Sequence, residues 1–119
     1  MEKIYVIHKH QAKCLHYDLR LEMEGKLKSW AVPKEPPKEK GVKRLAVQVE
    51  DHNLEYASFE GIIPKGDYGA GKVEIWDRGT YVLEEIGDKK IVLRIKGKKL
   101  RGKYCLIKFK KNYWLFFKT

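Results

Sequence analysis

From Leu15 to Glu22 the chain alternates with a period of two, and that pattern limits the folds open to it. Leu15, Tyr17, Leu19 and Leu21 fall on one face, and His16, Asp18, Arg20 and Glu22 on the other. Successive side chains of a strand point to opposite sides of a sheet, so one face feeds a core and the other carries chemistry. His10 precedes this strand by a short connection and can fold back toward the same place.

The pattern recurs. Tyr5 to Ile7 reads as a short first strand, Leu15 to Met23 as the second, and Lys26 to Val32 as its hairpin partner across Glu24-Gly25. Pro33 to Gly41 is a loop, because its three prolines forbid helix and central strand. In Arg44 to His52, Leu45, Val47 and Val49 point one way, and Arg44, Ala46, Gln48, Glu50 and His52 the other. Glu60 to Gly71 holds four glycines. It lacks the Lys-Ser/Thr ending of a phosphate-binding loop, and no helix pattern follows, so it reads as a structural loop or pocket wall. Strands are expected at Lys72–Trp76, Thr80–Ile86, Lys90–Lys96, Lys103–Lys110 and Tyr113–Phe117. Short strands separated by turn signals predict an all-β barrel or sandwich, in one domain spanning 1–119.

The polar face of the second strand suits a divalent ion. Imidazole and carboxylate together accept zinc, manganese, iron or cobalt. His16 and Asp18 are two residues apart, and His10 would supply a third ligand, leaving positions for water and substrate. A plain His-Asp hydrogen bond is the competing account. Cys14 reads as a buried small hydrophobe or a fourth ligand, and His8 shares the parity of His10. Arg20 either clamps a phosphate or pairs with Glu22 or Asp18. His52 is a phosphate donor, a proton donor or a surface histidine. Glu50 would orient an imidazole or pair with Arg44, and Tyr56 would reach a phosphate or pack.

Composition narrows the partner. The 119 residues carry a formal charge of +10 and are 43% apolar and 12% aromatic. A folded domain this basic points to nucleic acid. Lys96 to Lys103 is a basic turn suited to a phosphodiester backbone, and Lys108, Lys110 and Lys111 extend it. No apolar run approaches membrane-spanning length and no signal peptide is visible, so a soluble cytoplasmic protein with no membrane partner is expected. Cys14 and Cys105 form no disulfide framework or zinc-finger spacing.

His10-x5-His16-Tyr17-Asp18-x-Arg20-Leu-Glu22 and Gly25-x-Leu27-x-Ser29-Trp30-Ala31-Val32-Pro33-Lys34 resemble the 3′-phosphoesterase module of bacterial DNA ligase D. So do Arg44 to His52 with Tyr56, Phe59-Glu60-Gly61-x-Ile63-Pro64-x-Gly66-x-Tyr68-Gly69-Ala70-Gly71, Trp76-Asp77-x-Gly79-x-Tyr81, Leu100-x-Gly102 and Trp114-Leu115. The resemblance implies a compact antiparallel β-barrel with a crescent-shaped active face. It implies an enzyme of DNA repair and end joining that removes a 3′-terminal ribonucleoside and then hydrolyses the remaining 3′-phosphate. Manganese is the implied cofactor, with zinc or cobalt as alternatives. The implied metal ligands are His10, His16 and Asp18, and the implied phosphate-binding pair is Arg20 and His52. Arg44, Glu50, Tyr56 and Lys34 fall on supporting positions. The implied partners are DNA or DNA/RNA 3′ ends, with a separately encoded ATP-dependent ligase or polymerase. The match covers most of the chain, so a free-standing member without ligase or polymerase modules is expected; only Met1, Glu2 and Lys3 precede the first strand, where ligase D modules usually carry an extension, which bears on the ribonucleoside-removing step. His8 stands where the family usually has glutamine. The competing expectation is a non-catalytic barrel that binds nucleic-acid ends as a repair scaffold, and a third is a small-molecule phosphatase.

Overall fold

The computed structural model describes residues 2–67 and 69–119; Met1 and the motif residue Tyr68 lie outside the described residues. Nine strands follow in order: β1 (Lys3–Gln11), β2 (Leu15–Met23), β3 (Lys26–Val32), β4 (Lys43–His52), β5 (Gly61–Ile63), β6 (Gly71–Ile86), β7 (Lys90–Gly97), β8 (Arg101–Lys110) and β9 (Tyr113–Lys118). A short 3-10 turn, Leu54–Ser58, follows β4. There is no α-helix among the described residues, so none is long and apolar enough to cross a membrane.

The sheet runs β1-β2-β3-β4-β9-β8-β7-β6, and β1 pairs with β6 to close an eight-stranded antiparallel barrel. β5 lies outside the ring along the start of β6. Alternation sends Tyr17, Leu19 and Leu21 of β2 inward, where Trp30, Tyr81, Leu93, Leu106 and Phe116 complete the filling. A barrel of this size is closed by its own side chains and is not a channel.

Several sequence expectations are corrected. β1 begins earlier and ends later than Tyr5–Ile7, because both of its edges are paired, with β2 and β6. His8 and His10 are therefore strand residues. β6 is one strand through Gly79, where two were expected. A Cβ at Gly79 would lie 2.1 Å from the Lys96 carbonyl oxygen, so glycine here permits close approach to β7 and does not mark a turn. Leu15 is exposed, since it projects beyond the rim of the barrel.

The largest correction concerns β4. Its core-facing residue is Ala46, while Leu45 and Val49 are exposed. Ala46 lies opposite Trp114 and Gln48 opposite Trp30. The two indoles, 5.8 Å apart, fill the interior and leave β4 room only for small or polar side chains. Farther along, Ser29 pairs with Val49 but Leu27 with His52, so β4 carries one extra residue. Such a bulge reverses the parity of everything beyond it. His52 thereby leaves the face of Gln48 and joins Val49 on the outside.

The basic turn between β7 and β8 folds around buried Asp77. Its Oδ1 accepts the N–H groups of Lys98 and Lys99, and its Oδ2 those of Leu100 and the Tyr5 hydroxyl. Lys98 and Lys99 stay exposed, as expected for crowded like charges.

Candidate metal centre and phosphate pocket

The reactive residues stand on the outer face of the barrel wall, where β1, β2 and β3 lie side by side. Cross-strand pairing sets them in rows: His10 opposite His16, His8 opposite Asp18, and Arg20 opposite Ser29. This outer face is not left in solvent. The 3-10 turn packs over β1 and β3, and the glycine-rich loop passes beside His10. His8, Arg20, Ser29 and Asp18 are consequently buried.

His10, His16 and Asp18 each present a ligand atom, all within 4.8 Å of one another. His10 Nδ1 is 3.6 Å and His16 Nε2 3.3 Å from Asp18 Oδ2. The far nitrogen of each ring faces a carbonyl: His10 Nε2 to Gly69 O at 2.7 Å, His16 Nδ1 to Cys14 O at 3.1 Å. Carbonyls only accept, so those nitrogens carry the protons. The inward nitrogens are the ones whose lone pairs a metal would take, in place of the proton that His16 Nε2 shares with Asp18. Gly69 adopts φ +74, a left-handed conformation suited to glycine, in delivering its carbonyl. The donor set and its outer partners thus fit one divalent cation with open positions.

Charge in the centre is balanced around one carboxylate. Burial pushes the Asp18 carboxyl up, but the His16 hydrogen bond and the neighbouring Arg20 and histidine charges outweigh it and hold it below the usual carboxylate range. The bond to Asp18 raises His16.

Arg20 is the hub of the second half. Its Nε donates to His8 Nδ1 at 3.0 Å, its Nη1 to Ser29 Oγ at 2.8 Å and its Nη2 to Asp18 Oδ2 at 3.3 Å. A guanidinium has five N–H groups, so one remains on each terminal nitrogen for a ligand. His8 accepts from Arg20 and donates through Nε2 to Phe59 O at 3.0 Å. It is wholly buried, and burial together with the Arg20 charge lowers its pKa to about 4. The ring is therefore a neutral spacer that fixes the arginine. The Arg20 guanidinium also lies over the Tyr56 ring, 4.9 Å from its centroid. Tyr56 is stacked between His52, at 4.5 Å, and Phe59, at 4.9 Å. Burial, then the Arg20 charge, lowers the His52 pKa.

A cavity of about 260 Å³ joins both halves, lined by His10, His16, Asp18, Arg20, His52 and Tyr56 with Ala12, Ala31, Val49, Ile63 and Gly69. Three expected residues lie off this wall. Arg44 donates from Nε to Glu35 O and holds the proline loop; Lys34, in that loop, is exposed. Glu50 is exposed and reaches His52 only through its charge, which raises the imidazole's proton affinity. Cys14 is exposed and not a buried hydrophobe; its carbonyl, not its thiol, serves the centre. Sequence reasoning missed Ser29, a small hydroxyl directly across the sheet from Arg20, and the carbonyls of Gly69, Cys14 and Phe59. A serine on an apolar strand was the one signal available; backbone atoms leave none.

Comparison with known proteins identifies a family. A family model described as DNA Ligase D 3′-phosphoesterase domain matches residues 8–108. The multifunctional non-homologous end joining protein LigD of Mycobacterium bovis is 49% identical over 115 residues, covering 93% of this chain and 15% of that protein. Its counterpart in Pseudomonas aeruginosa is 49% identical over 124 residues, covering 97% and 15%. That of Mycolicibacterium smegmatis is 47% identical over 122 residues, covering 93% and 16%. The chain spans about 15% of the length of these relatives.

Proposed function

The chain belongs to the DNA ligase D 3′-phosphoesterase domain family, and from that premise we propose that it is a metal-dependent hydrolase of 3′-phosphorylated DNA ends. The observation that carries the reading is the meeting of a three-ligand cation site with a buried arginine and a histidine in one cavity. His10, His16 and Asp18 hold the ion, and manganese is the ion we assign. When bound, such an ion makes a water nucleophilic near neutral pH and polarises a phosphoryl oxygen.

The chain's own groups do the rest. Arg20 offers its two free N–H groups to the phosphoryl oxygens, and its bonds to His8 and Ser29 keep it from turning away. His52 is held below its ordinary pKa, so near neutral pH it approaches the phosphate as a neutral N–H donor. Tyr56 keeps His52 and Arg20 in register by stacking on both. In the reaction a water oxygen bonds to phosphorus, the P–O3′ bond breaks, the proton that the water gives up ends on the departing oxygen, and inorganic phosphate leaves. The product is a 3′-hydroxyl. Removal of a 3′-terminal ribonucleoside is the companion activity we assign. Arg44 and Lys34 then act on the flanking strand, with Arg44 bracing the loop that bears Lys34. We take residues 1–119 as one such domain, working in the cytoplasm on ends later joined by a separate ligase or polymerase, within end joining.

The test is a 3′-phosphate oligonucleotide incubated with manganese, with and without chelator, using wild type and Asp18→Ala. The expected result is a 3′-hydroxyl product from wild type with metal alone. Full turnover by Asp18→Ala would overturn the ligand assignment, and no product from wild type with any divalent metal would return the chain to a non-catalytic end-binding barrel.

A further inference from the structure

Beside the cavity, the outer face of β4 and β9 is apolar and uncovered. Val49 lines the cavity, and Val47 follows it on the same face. Val47 pairs on one side with Ala31, also on the cavity wall, and on the other with Tyr113. Ala31, Val47 and Tyr113 therefore form one row across three strands. Strand spacing puts Tyr113 about 10 Å from Ala31.

Tyr113 is 41% exposed, and Phe109, 56% exposed, lies nearly parallel to it with centroids 6.3 Å apart. Exposed Lys110, the last residue of β8, and Lys111, in the turn, lie between them in sequence. This tip is not loose. The Gln48 N–H donates to Asn112 O at 2.8 Å, and Gln48 Oε1 accepts the Trp114 indole N–H at 3.2 Å.

We infer that the β8–β9 hairpin tip is a stacking platform for an unpaired base of the strand whose 3′ end enters the cavity, an inference that rests on the proposed function. Two exposed rings flanked by lysines match what a single strand requires: a π-face for a base and cations for its backbone. Exposed Glu50 and Asp51, at the end of β4, repel a phosphate chain from that edge, so its route runs over Val47 to Tyr113. Stacked nucleotides advance about 3.4 Å each, so the base on Tyr113 lies within about three nucleotides of the reacting phosphate. Stacking is indifferent to base identity, so the platform confers affinity for a strand and not for a sequence. The other occupant of an apolar face is a second copy of this chain. A symmetric contact through this tip would oppose Lys110 and Lys111 to their own copies, which disfavours it.

The experiment measures fluorescence anisotropy of a labelled single-stranded dodecanucleotide ending in a 3′-hydroxyl, which cannot be hydrolysed. A Phe109→Ala/Tyr113→Ala double variant should bind it about 5- to 100-fold more weakly than wild type, while Tyr113→Phe binds as wild type does. The same double variant should lose kcat/KM for a 3′-phosphorylated dodecanucleotide by a similar factor relative to kcat/KM for a nucleoside 3′-monophosphate. Equal anisotropy in wild type and the double variant overturns the platform. So does a wild-type dimer in sedimentation velocity that the double variant abolishes. Weaker binding by the double variant together with no hydrolysis by wild type upholds the platform and defeats the proposed function, so the two failures are distinct.

Discussion

Replacing His8 tests whether the phosphate pocket depends on a neutral spacer. His8 is 0% exposed and satisfies two groups at once: it accepts from Arg20 Nε and donates to Phe59 O. His8→Leu fills similar space but strands both. A buried donor without a partner costs about 1–3 kcal/mol, more when it is charged, and the Arg20 N–H is both. Phe59 O is only partly buried and can recruit water, so its share lies at the low end. The sum is about 3 kcal/mol, or a fall in Tm of about 12 °C for a domain of this length. His8→Gln should differ. An amide oxygen can accept from Arg20 and its NH₂ can donate to Phe59 O, so the loss should stay within about 1 kcal/mol. Urea unfolding followed by circular dichroism measures both variants. A leucine variant within about 0.5 kcal/mol of wild type, or a glutamine variant as weak as leucine, would refute the spacer account.

Two further outcomes follow from other contacts. His52 has a lowered pKa in the free site, and a bound phosphate favours its imidazolium, so the pKa rises on binding. The added affinity is present below the free-state pKa and disappears as pH rises through that of the complex. Inhibition by inorganic phosphate should therefore tighten toward low pH more steeply in wild type than in His52→Gln; parallel profiles refute the contact. Asp77→Ala leaves three backbone N–H groups and the Tyr5 hydroxyl without their acceptor. It should cost at least about 3 kcal/mol in urea unfolding, while Lys98→Ala, which keeps its backbone N–H, stays within about 0.5.

The strands were legible because alternation is a local property, and β2 displays it without exception from Leu15 to Glu22. His10, His16, Asp18, Arg20 and His52 were singled out from residue type and spacing, and the cavity gathers all five. Three features were not legible, each for a non-local reason. The interior of β4 is set by Trp30 and Trp114 on its neighbours, so the valines that looked like core face outward. The bulge that turns His52 toward Arg20 is visible only in the pairing of β3 with β4. The expectation that His52 shares the face of Arg44 and Glu50 failed on that one inserted residue. Finally, Asp77 fell between two expected strands with no role of its own, yet it organises a turn about 20 residues away in sequence.

The barrel explains why the site is built outside its core. The interior is apolar and filled, so any polar group there would need a partner at every step. The outer wall of β1, β2 and β3 offers rows of side chains already aligned by pairing, and a cover of one short turn and one loop is enough to bury them. Burial of this kind is costly for an isolated arginine or aspartate and acceptable only when each is fully bonded. Here Arg20 and Asp18 share a bond, His8 and Ser29 take the remaining buried donors of Arg20, and two histidines face Asp18. Two N–H groups of Arg20 and the lone pairs of the ligand atoms are what the network leaves over. Those are the groups a phosphate and a cation would use, so completing the network for stability and leaving it open for chemistry are the same arrangement.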